Sequence, residues 1–199
     1  MKSNLCKIES GAKDLAAILK ESEKVAVYNE LTHKQTLQLR LICEEIDGML
    51  PNIIDNYSGE LWMDYEENVC RVNISLRFGS FTADKKDELV AIAKNKKNAA
   101  AVGIVGKIRS AIENVFLDGG AVSAADLPPE SYYYTSGYYD FADYPSVWTL
   151  ERYRSTVKQE AKKEAWDELE KSVIASVADD VIVGVKGKQA NIVIIKKFA

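Results

Sequence analysis

Two short stretches alternate so regularly that they fix the fold class ahead of anything else in the chain. In VCRVNISLRF, Cys70, Val72, Ile74, Leu76 and Phe78 share one side of an extended backbone, and Val69, Arg71, Asn73, Ser75 and Arg77 share the other. A period of two with polar partners marks a half-buried strand. Just before it, Leu61, Met63 and Tyr65 alternate with Trp62 and Asp64, and Glu67-Asn68 turns the chain, so the two runs make a hairpin. The chain closes with a second hairpin: Val181, Val183 and Val185, a Lys186-Gly187-Lys188 turn, then Ile192 to Ile195. Such hairpins need a covering layer, and the segments around them are helical.

The longest of these is 32–57, THKQTLQLRLICEEIDGMLPNIIDNY. Thr32 and Gln35 form a capping box that satisfies two orphan backbone donors. Leu39, Ile42, Ile46, Met49 and Ile53 recur at three and four, widened by Cys43, Leu50 and Ile54. This spacing predicts a core-facing helix. Glu44-Glu45 and Asp47-Gly48 interrupt it, as a solvated flank or as the wall of a site.

Residues 11–31 place Leu15, Ile18, Leu19, Val25 and Leu31 loosely on one helical side, and Thr82 caps a short zone with Leu89, Ile92 and Ala93. In AAAVGIVGKIRSAIENVFL the predicted inner face is Val102, Val105, Ile108, Ile112, Val115 and Phe116. Gly103 and Gly106 there each cost about 1 kcal/mol relative to alanine. Thr149 caps a last helical stretch with Leu150, Tyr153, Val157, Ala161, Trp166, Leu169 and Val173 inward. The order predicts an α+β fold: one domain over 1–199, a two-layer α/β sandwich with a mixed sheet covered by helices on one face. No repeat at a fixed period is present.

A net charge of −4 gives no basis for general nucleic-acid binding. The start MKSNLCKIES lacks the apolar run of a signal peptide, and no window reaches the roughly 18 apolar residues of a membrane span. Cys6, Cys43 and Cys70 are odd in number, widely spaced and without metal spacing. They read as buried, reduced thiols of a cytoplasmic protein. His33 is the one histidine and stands in the first turn of a helix, which leaves acid–base chemistry of the ordinary hydrolase kind without its usual residue.

The stretch 118–147 differs in kind. It holds Pro128, Pro129, Pro145 and six of the ten tyrosines (Tyr132, Tyr133, Tyr134, Tyr138, Tyr139, Tyr144). No lysine or arginine occurs from Ser110 to Glu151. Stacking on single-stranded nucleic acid requires cations along the backbone track. The segment reads instead as a loop insertion that packs on its own protein or, over 132–144, presents a surface to a protein partner.

The runs RLICEEIDGMLPNI, NAAAVGIVGKIR and WDELEKSVIASVADDVIVGVKGK resemble an uncharacterised bacterial family with the histidine-kinase-like ATPase fold, the fold also of the anti-sigma serine kinases. The likeness covers roughly 32–117 and 148–197. It implies ATP or ADP as ligand, with Glu45 where the group keeps its water-polarising glutamate. Glu44, Asn52, Lys97, Asn98, Gly103 and Gly106 would then surround the nucleotide, the last four as a lysine-flanked helix start. The Glu-x-x-x-Asn pattern reaches only Gly48 or Met49, so the usual Mg²⁺ ligand is missing, and Asp-x-Gly-x-Gly has no match in RFGSFTADKKDEL. Two expectations follow. One is an ATP-binding regulatory protein with little or no turnover. The other is a non-catalytic interaction module that has lost the nucleotide.

Overall fold

The computed structural model describes residues 1–12, 14–54, 56–79, 103–117, 141, 144, 146–159, 165, 167 and 172–198. Its elements run β1 (Cys6–Glu9), α1 (Leu15–Tyr28), α2 (His33–Ile53), β2 (Tyr57–Glu66), β3 (Val69–Phe78), α3 (Gly103–Leu117), β4 (Ser146–Thr149), α4 (Leu150–Gln159), α5 (Val173–Val177), β5 (Asp180–Lys186) and β6 (Gln189–Lys197). The strands form one sheet in the order β1-β2-β3-β6-β5-β4.

Every neighbouring pair in that sheet is antiparallel, which corrects the expected mixed sheet. The cause lies in the connections. One crossover helix returns a chain parallel to the strand it left. Two helices, α1 and α2, separate β1 from β2, and the extra reversal brings β2 back antiparallel. The outer strands were not legible as strands: β1 (CKIE) and β4 (SVWT) span four residues each, too few for alternation to register.

The two halves share a plan of strand, helices and hairpin. Turns fall at 67–68 and 187–188, and where β3 meets β6, Asn73 lies directly opposite Val193. These residues hold matching places in their hairpins, so a pseudo-two-fold axis passes between them. The first turn has left-handed backbone at both positions, Glu67 (φ 48°) and Asn68 (φ 62°). Asparagine tolerates that region, whereas glutamate is strained there.

One face of the sheet and the inner faces of the helices make a single core. Leu61, Met63, Cys70, Val72, Ile74, Leu76, Val181, Val183, Val185, Ile192 and Ile194 meet Ile18 and Val25 of α1, the α2 stripe, and Ile104, Ile108 and Ile112 of α3. The expected α2 stripe is buried from Leu39 to Ile53, and Thr32 and Gln35 form the expected capping box. Pro51 falls in the last turn of α2, which continues to Ile53. On α3 the buried line runs through Ile104 instead of the expected Val105, which is only partly buried; Val102 and the side chains of Val115 and Phe116 lie outside the described residues. Thr149 caps α4 as expected, its Oγ1 accepting from the Arg152 N–H at 3.2 Å. The zone from Thr82 to Ala93 also lies outside the described residues.

The N-terminal segment is tied down by a charged side chain. Glu21 of α1 is buried, accepts from Lys24, and accepts from the Asn4 N–H and Nδ2 at 3.2 Å. The Lys24 ammonium holds its carboxyl below the usual glutamate range, with burial opposing and Asn4 helping.

Two predictions arise here. Glu67→Asn relieves left-handed strain and stabilises the fold by up to about 1 kcal/mol, read as a higher urea midpoint at unchanged slope. Because the folded pKa of Glu21 is lowered, its contribution is complete above the unfolded value of about 4.3 and is lost as pH falls through the lower folded value. Glu21→Gln therefore lowers stability at neutral pH and flattens its acid-side decline, as urea melts between about pH 3 and 7 would record.

Candidate functional site

The residues singled out on α2 do not converge. Its buried side chains occupy one side of the helix; at 3.6 residues per turn Glu44 projects from the far side, while Asn52 and Glu45 stand on the flank of the stripe. Glu44 accepts from Arg40 Nε at 2.9 Å, and Arg40 Nη1 stands 3.6 Å from Glu23 of α1. This is an exposed chain of ion pairs that clips the two helices together, a contact worth a few tenths of a kcal/mol per pair. Asn52 spends its amide on the Gly48 carbonyl, at 2.8 Å. Glu45 is half-buried and pairs with no described residue. It stands about 10 Å along the axis from Asn52.

Gly103 opens α3 as described, and Gly106 is buried one turn in; Lys97 and Asn98 lie outside the described residues. Among the described residues no three His, Cys, Asp or Glu side chains come together as a metal site. All three cysteines are free and buried, as expected. Burial pushes the Cys70 thiol up to about 12 and raises Cys43 further still, so neither supplies a thiolate at neutral pH.

A denser polar cluster sits where the sequence suggested only an exposed strand face. On the side of the sheet away from α2, Trp62 and Asn73 are buried. Asp64 Oδ2 accepts from Trp62 Nε1 at 3.1 Å and from Asn73 Nδ2 at 2.8 Å. The carboxylate fixes the amide's orientation, since only the NH₂ end can donate to it. Among the described residues Asn73 Oδ1 is then left buried without a hydrogen-bond partner. Lys2 Nζ stands 5.1 Å from the Trp62 ring centre. Across the central seam, Gln189 Nε2 donates to Ser75 Oγ and Asn191 Oδ1, each at 3.2 Å, and Asn191 donates to the Tyr144 hydroxyl.

The neighbouring part of the same face is apolar. Ile182, Val193 and Ile195 form a second cluster with Phe141, and Tyr144 and Val147 pack at its edge. Phe141 and Tyr144 meet at 5.2 Å between ring centres. Two residues of the expected Tyr-rich insertion are thus seated on the sheet, which favours the packed reading for that end of it. Tyr132, Tyr133, Tyr134, Tyr138 and Tyr139 lie outside the described residues. Gly184 makes the seat. A Cβ there would come within 2.5 Å of Phe141 Cδ1 and 2.9 Å of Tyr144 Cδ1.

The sequence did hold signals for this cluster. Asn191 stands in the run QANIVIIKK and Asn73 in VNISL, each a polar residue among β-branched ones. Strict alternation assigns Asn73 to solvent, and only a second covered face makes it a core residue. A further buried acid, Asp180, accepts through Oδ1 from the Glu151 N–H at 3.0 Å and the Val181 N–H at 2.8 Å, while its Oδ2 is buried without a partner. Burial pushes its pKa up despite those two bonds. It joins the start of β5 to the first turn of α4.

No protein-family model, curated protein or solved structure matches the chain. No described helix is long and apolar enough to cross a membrane.

Gly184→Ala should displace Phe141 and Tyr144 from the sheet at a cost of about 1–3 kcal/mol. The check is a lower melting temperature, with faster proteolysis between Ser110 and Glu151; an unchanged melt would mean the rings yield at no cost.

Proposed function

We propose that this chain is a non-catalytic interaction module, the second of the two readings drawn from its sequence. The observation that carries the reading is the orientation of α2. A nucleotide site of the expected kind needs the helix carboxylate and amide turned toward the space between helix and sheet. Here that side of α2 is apolar from Leu39 to Ile53. The polar candidates stand outside that stripe, with Glu44 engaged by Arg40, Asn52 by its own backbone, and Glu45 on the flank. Function follows from such site geometry and not from fold likeness.

ATP or ADP binding is the competing reading, and titration calorimetry separates the two. The full chain titrated with either nucleotide to millimolar concentration, with and without Mg²⁺, should show no saturable heat. Saturable binding lost on Gly106→Glu, at the buried first turn of α3, would overturn the proposal in favour of a nucleotide-binding regulator.

A further inference from the structure

We propose that this protein self-associates as a two-fold dimer through the outer face of α2. Leu37 of each copy packs on Leu41 of the other, and Lys34 of each lies opposite the partner's Glu45. The inference does not rest on the interaction-module reading, since a nucleotide-binding protein could carry the same surface.

Its first support is misplaced hydrophobicity. α2 buries Leu39, Ile42, Cys43, Ile46, Met49, Leu50 and Ile53 on its inner side. Leu37 and Leu41, four apart and on the opposite side, remain 50% and 38% exposed. They are not isolated. Arg40 between them reaches Glu23, which brings α1 alongside. One turn beyond Glu23 lies Val27, 79% exposed. The two helices are joined through the short connection 29–32, so Val27 falls on the Leu37 side of that bridge. The result is an apolar strip crossing an antiparallel helix pair.

The second support is charge, and it selects the occupant. Along the outer line of α2 the order is Lys34, Leu37, Leu41, Glu45. A cation precedes the leucines and an acid follows them at nearly equal spacing. Neither Lys34 nor Glu45 forms an ion pair among the described residues, whereas Arg40 and Glu44 are already paired within the copy. Turning a second α2 antiparallel about a two-fold axis between positions 39 and 40 puts Leu37 on Leu41 and Lys34 opposite Glu45, twice over. Both charged residues lie on the same flank of the outer line, as that symmetry requires. A parallel pairing would set lysine on lysine and glutamate on glutamate. The surface is therefore self-complementary in one orientation, the requirement for an isologous interface. A strip this narrow falls at the small end of protein interfaces, so the association is concentration-dependent and not permanent.

Sedimentation velocity on the full chain, over a wide concentration range, tests the proposal. The expected mass rises from 22.2 kDa toward twice that value. Leu41→Glu, at an exposed position that leaves the thermal melt unchanged, holds the chain at monomer mass throughout. Lys34→Glu and Glu45→Lys each weaken association roughly tenfold, as expected for about 1.4 kcal/mol of new like-charge contact. The double exchange Lys34→Glu with Glu45→Lys restores association to near the original strength. A constant monomer mass up to millimolar concentration overturns the proposal, as does a dimer indifferent to Leu41→Glu. Failure of the double exchange to rescue overturns the antiparallel pairing, leaving a different partner for the strip.

Discussion

The antiparallel seam between β3 and β6 is the contact on which the remainder depends. It joins the two half-sheets in the order β1-β2-β3 and β6-β5-β4, and it sets Ile74 on Ile192, Val72 on Ile194 and Leu76 on Ala190. All six are buried in the shared core. Either two-stranded hairpin alone would have marginal stability. Joined, the halves present a continuous floor wide enough for α1, α2 and α3 to cover. The partners in this seam are more than a hundred residues apart, so loop closure precedes any gain from pairing. Pairings of such high sequence separation slow folding, whereas the two hairpins and the capped α2 rest on local contacts.

The two faces of this sheet are governed by different chemistry. Toward the helices the strands give mostly aliphatic residues, with Trp148 from β4 and Tyr57, Tyr65 and Phe78 from the first hairpin. On the other face the polar side chains around Asn73 and Asn191 adjoin the apolar patch of Ile182, Val193 and Ile195. The polar part orients, because carboxylate-to-amide and amide-to-hydroxyl bonds fix which group meets which. The apolar part holds, because Phe141 loses its solvent there. Gly184 makes this combination feasible by leaving out the one side chain that would occupy the space of the rings. The same division explains why β5 and β6 are buried on both faces while β2 and β3 keep partial alternation.

These differences also decide what was legible in the residues. The hairpins were, since a period of two survives on β3 and the turn residues Asn68 and Gly187 adopt left-handed backbone. The α2 boundary was, because the capping box is a local hydrogen-bond device needing no tertiary context. β1 and β4 were not, since four residues pair with a neighbour supplied by distant chain. The pseudo-two-fold also left no sequence period, although the two hairpins match in register. As for the site, Glu44, Glu45 and Asn52 were recognisable as polar residues on an apolar helix. Which way they faced depended on where α2 met the sheet. The network about Asn73 was hidden for the converse reason, since its burial comes from a second covered face that alternation does not encode.

Among the described residues the first half carries α1 and α2 between its outer strand and its hairpin, and the second carries α4 and α5, with residues 165 and 167 also helical. Among the described helices α2 is met by α1, α3 and α5, and Leu37 and Leu41 on its outer side stay exposed. A helix so supported would be expected to carry polar residues there, and α2 does so at Lys34, Arg40 and Glu44, with leucine at 37 and 41 between them. Those leucines leave half and more than a third of their surface open in the single chain, beside Lys34 and Glu45, which pair with no described residue. A second copy of the same surface would cover the leucines and pair the charges.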